Sequence, residues 1–138
     1  MTIRIAFIIV AGAFVWAAQS SVGAQGSVNA GVYSAAQAKR GAAAYASNCA
    51  ACHGADLGGG DPVPSLAGEK FLANWKTVGD LYQKISTTMP SYAPGSVPPK
   101  DVADIVAEIL RVNKFPAGST ELAANGEALK AIRIEPAK

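Results

Sequence analysis

Five consecutive residues, Cys49-Ala50-Ala51-Cys52-His53, have the types and the spacing to do chemistry. The two cysteines lie one helical turn apart and a histidine follows at once. This is the pattern by which a polypeptide attaches a c-type haem. Each thiol can add across one vinyl group on the same porphyrin edge, forming a thioether with no leaving group. The next residue then lies beneath the iron, where the His53 ring nitrogen can act as proximal ligand. A C-x-x-C pair also suits a redox dithiol or half a zinc site. Zinc needs about four ligands, usually Cys or His, and Cys49, Cys52 and His53 are the only residues of those types. A thioredoxin-like dithiol belongs near a βαβ pattern, whereas the flanks here are alanine-rich and read as helix.

An iron held by one histidine either takes a second axial ligand or keeps an open position. With a single histidine, ligation by two histidines within one chain is impossible. Met89 is the only methionine besides Met1. An isolated methionine ordinarily fills a gap in a core. Met89, however, follows a helix end and precedes Pro90 in Thr- and Pro-rich sequence, which suits a thioether ligand that raises the potential. The alternative is a five-coordinate haem sensor or a peroxidase-like enzyme. Peroxidase chemistry needs an acid/base group beside the open iron position, and His53 is already used.

These groups must be positioned by the elements around them. Ser34 reads as a helix cap, with Gln37 three residues on as the returning partner of a capping box. The helix it opens runs through alanine-rich sequence to about Asn48. Gly41, Tyr45 and Cys49 fall at steps of four and share one face. A glycine within that helix points to a close crossing, because it costs near 1 kcal/mol relative to alanine. Residues 54–68 hold five glycines and two prolines, so they form a loop that wraps the proximal side of the ring. A short helix over Glu69 to Trp75 places Phe71, Leu72 and Trp75 on one side. Thr77 and Asp80 start another helix that leads to Met89. Pro99 and Asp101 suit the first turn of the last strong helix, whose stripe is Val102, Ile105, Val106, Ile109 and Leu110. Asn113 and Pro116 close it. There is no strand pattern and no internal repeat, so the fold class is all-α, with four to five helices around one haem.

The chain has 138 residues, half of them apolar, with 16% charged. That suits one domain and excludes disorder or a coiled coil. Part of the apolar content reads as an address. Arg4 gives a short positive start, Ile5 to Ala18 is an unbroken apolar run, and Val22-Gly23-Ala24 offers small residues for cleavage before Gln25. The run is shorter than the roughly 20 residues a comfortable membrane span needs. The expectation is a secretory signal over 1–24, export to a bacterial periplasm, and no stable membrane span in the mature form; the alternative is an uncleaved N-terminal anchor. The net charge is +2, and loss of the signal subtracts only Arg4, which excludes a strongly basic nucleic-acid binder. Residues 25–33 read as a flexible, Gly-rich lead. Residues 34–116 form the haem domain. In the extension, 117–138, Leu122, Leu129, Ile132 and Ile134 would strap it to the domain or form a docking element.

From Ser34 to Asn113 the sequence resembles the class I cytochromes c. The motifs are Gly41, Tyr45 and Cys49-Ala-Ala-Cys52-His53, then Pro64-Ser-Leu66-Ala-Gly68, then Met89-Pro90, then a final amphipathic helix. The resemblance implies the cytochrome c fold, one covalent haem c and electron transfer rather than catalysis. It implies that Gly41 and Tyr45 sit where the first and last helices cross. The Pro64 carbonyl would accept a hydrogen bond from the other ring nitrogen of His53, Leu66 would pack on the haem face, and Trp75 would be the propionate-side aromatic or a plain core residue. One departure is Glu108, where the family's last helix carries an aromatic. The segments Met89-Pro-Ser-Tyr-Ala-Pro-Gly95 and Asn113-Lys-Phe-Pro-Ala-Gly118 look like the small bacterial cytochromes that serve quinoprotein (PQQ) alcohol dehydrogenases. The implied partners are such a dehydrogenase or a terminal oxidase. Lys70, Lys76, Lys84, Lys100 and Lys114, in or beside segments around the haem, would steer an acidic partner or simply solvate the surface.

Overall fold

The computed structural model describes residues 26–136. The signal expected over 1–24 lies outside the described residues.

Six helices carry the fold: α1 (Ala35–Asn48), α2 (Ala50–His53), α3 (Glu69–Leu72), α4 (Val78–Thr88), α5 (Pro99–Val112) and α6 (Gly126–Leu129). That is more than the four to five expected. Cys49 leaves helical geometry (φ −129°, ψ −34°) and splits the haem-motif turn off as α2, and the extension contributes α6. Two two-residue strands, β1 (Gly26–Ser27) and β2 (Ile132–Arg133), pair in parallel. Strands this short leave no alternating pattern to read.

The centre of the molecule is α5. Every residue from Val102 to Leu110 is buried, so the middle of this helix has no wet face, while Lys100 and Arg111 near its ends are exposed. Its principal partner is α1, and the crossing is made possible by Gly41. A Cβ there would collide with the Asp104 carbonyl oxygen and lie 3.1 Å from Glu108 Cβ. The departure at Glu108 therefore keeps a tight crossing, with a carboxylate in place of an aromatic. Burying two carboxylates demands partners. Arg111 gives Glu108 a two-pronged contact at 2.7 and 2.8 Å. Asp104 receives Arg40 at 3.0 and 3.1 Å and Lys100 at 2.8 Å.

Capping follows the local sequence with one change. Thr77 and Asp80 form the complete reciprocal box at the start of α4. Ser34 Oγ accepts from the Gln37 amide, but the Gln37 side chain does not return to Ser34. It is buried and binds the Leu122 backbone twice, donating at 3.0 Å and accepting at 2.8 Å. The extension thus displaces the expected box. Leu122 and Leu129 are buried, which makes 117–136 a strap over the domain.

The lead is not loose. Val28 and Tyr33 are buried, and the Tyr33 hydroxyl donates to the Phe115 carbonyl at 2.7 Å. Composition suggests flexibility here, but two buried side chains and the β1–β2 pairing outweigh it.

Candidate functional site

Each cleft residue owes its place to a local cause. Cys49 ends α1, and its carbonyl accepts the amides of Cys52 at 3.1 Å and His53 at 2.9 Å, closing the turn of α2. Tyr45, one turn before, donates its hydroxyl to the Gly54 carbonyl at 2.7 Å and so ties the far end of α2 back to α1. Burial, then the neighbouring Cys49 and Asp56, pushes this phenol up to about 12, so it stays a donor at any physiological pH. Burial, then the neighbouring Cys52, also raises the Cys49 thiol.

His53 is fixed from the loop. Its Nδ1 lies 3.0 Å from the Pro64 carbonyl oxygen. A carbonyl only accepts, so Nδ1 carries a proton, and in the neutral ring it is then Nε2 that holds the lone pair. The loop bearing Pro64 is held by Gly59 N–H to the His53 carbonyl and by Leu66 N–H to the Leu57 carbonyl, both 2.8 Å. A residue not singled out in the sequence as a site residue completes the hold. Asn113, just past α5, accepts from the Gly68 amide at 2.8 Å and donates to the Leu66 carbonyl at 3.0 Å. The available signal was its type, since Asn at a helix end often bonds backbone.

Elsewhere on the lining, Met89 closes α4, its amide bonded to Ile85 O at 3.1 Å. Trp75 lies beyond α3, which ends at Leu72 rather than running on to Trp75. It meets Phe71 edge to face with centroids 5.9 Å apart.

Cys49, Cys52, His53, Pro64, Leu66, Trp75 and Met89 all line one open cleft. Its floor and walls are apolar, with Leu81, Ile85, Ile105 and Ile109 among them. Among the described residues, Lys84 is the only lysine or arginine on the lining, and no carboxylate lines the cleft. Of the lysines expected around the haem, the remaining four are elsewhere. Lys70 borders a neighbouring depression and Lys100 is bound to Asp104, while Lys76 and Lys114 do not line the cleft. Among the described residues no three His, Cys, Asp or Glu side chains gather to hold a bare metal ion.

Residues 36–107 match the family model for cytochrome c oxidase, cbb3-type, subunit III. That stretch is just over half the chain and contains every cleft residue except Ile109. The chain belongs to this family: it is a class I c-type cytochrome. The crystal structure of the sulfane dehydrogenase SoxCD from Paracoccus pantotrophus resembles the cytochrome with a TM-score of 0.57 at 23% identity. The match covers 70% of the cytochrome and 52% of the SoxCD chain, so the cytochrome spans about half of that chain, and the likeness is one of fold. No curated protein matches the cytochrome.

Family membership implies haem c, and the cleft fits it. The His53 imidazole and the Met89 thioether, side chains of types that could ligate iron, line one apolar space together with two cysteines. Trp75 Nε1 is buried in the same lining and has no acceptor among the described residues. An orphaned donor of this kind is costly unless a ligand supplies the acceptor, and a haem carboxylate would do so. Among the described residues no helix is long and apolar enough to cross a membrane.

Proposed function

We propose that this cytochrome is an exported, periplasmic electron carrier holding one haem through thioethers at Cys49 and Cys52, with His53 and Met89 as axial ligands. The observation that supports this reading best is the cleft lining: His53 and Met89 share one apolar space, and among the described residues no carboxylate lines it. When bound, haem c supplies a one-electron Fe(III)/Fe(II) couple. The chain's own residues set its properties. Pro64 O holds His53 in the tautomer whose Nε2 can ligate, and the hydrogen bond raises that nitrogen's basicity. The Met89 thioether, a soft donor, favours the reduced state. Leu66, Phe71 and Ile85, apolar residues of the lining, would keep water from the bound group, which also favours the less charged state. Trp75 would donate to a haem carboxylate.

Such a protein passes single electrons and needs a redox partner on each side. The family name refers to an oxidase and the SoxCD title to a dehydrogenase. Both support an oxidoreductase as partner, of which a quinoprotein dehydrogenase or a terminal oxidase are the candidates.

The test is visible absorption of the exported protein, oxidised and reduced, with and without carbon monoxide. The expected result is covalently bound haem in a low-spin state, with the far-red sulfur–iron band and no response to carbon monoxide. A high-spin spectrum that shifts with carbon monoxide would replace the carrier by the five-coordinate sensor or peroxidase-like enzyme. Absence of covalent haem would remove both.

A further inference from the structure

We propose that the C-terminal tail is a positioning element for the redox site, in which Ile134 and its strand hold Trp75 in the cleft by fixing the backbone that follows it. The proposal rests on the haem-binding reading above.

Trp75 lies between two helices and in neither. On its N-terminal side its amide bonds the Leu72 carbonyl at 3.1 Å. On its C-terminal side the next two residues are held by the tail. The Ile134 amide donates to the Lys76 carbonyl at 3.0 Å, and Arg133 pairs with Thr77 in an isolated antiparallel bridge. Thr77 is also the cap of α4, so the same short link sets where that helix begins.

The tail is itself anchored, which is what a brace requires. Its strand pairs with β1, and the Gly26 amide donates to the Ala131 carbonyl at 2.9 Å. Further out, Ser27 Oγ donates to Glu135 Oε2 at 2.7 Å and Asn29 Nδ2 to the Pro136 carbonyl at 3.0 Å. Upstream, α6 sits against α4 so closely that a Cβ on Gly79 would lie 2.6 Å from both Gly126 O and Lys130 N. Among the described residues none beyond Ile109 lines the cleft. The last residues of the tail therefore reach the haem site through the Trp75–Thr77 link or α4, while its earlier part, at Glu121 and Leu122, touches α1 instead.

The test uses the haem-loaded protein and two readouts: the reduction potential and the hydrogen-exchange rate of the Trp75 indole N–H. Ile134→Pro deletes the amide that donates to Lys76. It is expected to lower the potential, because a haem carboxylate that loses its donor, or gains water, favours the oxidised state. It should also speed indole exchange on the order of tenfold or more through local opening. Trp75→Phe should lower the potential by itself, and Ile134→Pro in that background should lower it no further. An unchanged potential with unchanged exchange, or shifts that simply add, would overturn the proposal. If Ile134→Pro does not fold, Ser27→Ala with Asn29→Ala unhooks the strand at its outer end and predicts smaller changes of the same sign. Unaltered protein lacking covalent haem counts against the carrier reading. Haem-loaded protein whose potential ignores the tail counts against this proposal alone.

Discussion

His53 and Met89 differ in how they are held, and that difference decides which one can be exchanged. His53 sits within a closed turn, with its ring bonded to Pro64 O and its carbonyl bonded to Gly59. Met89 hangs at the end of α4. Met89→Ala should therefore leave the haem attached while opening one axial position. Its spectrum should turn high-spin and respond to carbon monoxide, and its potential should fall with loss of the soft ligand. Asn113 reaches from the end of α5 back to the 66–68 loop. Asn113→Ala removes a 2.9 Å bond to Ile109 O as well as the two bonds to the 66–68 loop. Leaving buried backbone groups unpaired costs about 1–3 kcal/mol. Denaturant titration should show that loss, and the haem circular dichroism should change as Leu66 moves.

At the scale of elements, the α1–α5 crossing carries the fold and Gly41 permits it. The contact that a Cβ would strike is backbone, the Asp104 carbonyl, so no side chain can swing away. Gly41→Ala should lower stability by about 2–3 kcal/mol, in the range of overpacked cores, although alanine is the better helix former. A denaturation midpoint that rises instead would mean the helices separate easily. The same closeness explains Glu108. With a glycine opposite it, its Cβ packs on α1 while its carboxylate reaches Arg111.

For the whole molecule, one charged cluster links α1, α5 and the extension. Arg40 pairs with Asp104 and with Glu121, and Lys100 with Asp104. Burial by itself raises the Asp104 carboxyl, but hydrogen bonds from Arg40, Lys100 and Gln37 outweigh it and hold the group below its ordinary value. A depressed folded value means stability that is present above the unfolded value, about 3.9, and is lost as the pH falls through the folded one. Acid unfolding should therefore steepen below about pH 4. Asp104→Asn should flatten that dependence and cost about 1–3 kcal/mol at pH 7, a range kept modest because Arg40 and Lys100 are largely solvated. If the variant and the parent show the same acid profile, the cluster does not govern acid stability.

What the sequence determined by itself was whatever rests on short-range spacing. The C-x-x-C-H turn, the Thr77 capping box, the Pro99 start and the stripe of α5 are each encoded within a few residues, and the helices stand where those signals put them. The candidate site was also legible, because Cys49, Cys52, His53, Pro64, Leu66, Trp75 and Met89 are marked by type and local pattern, and they line one cleft. Tertiary structure decided the rest. Gln37 carries a capping-box signal but turns to Leu122, a partner 85 residues away. The lead looks flexible by composition but is pinned by Tyr33 and β1, whose partners lie beyond residue 114. Asn113 reaches back to the haem loop, and Ile134 reaches Lys76. These contacts join residues with no periodic relation to one another, so only the folded chain brings them together.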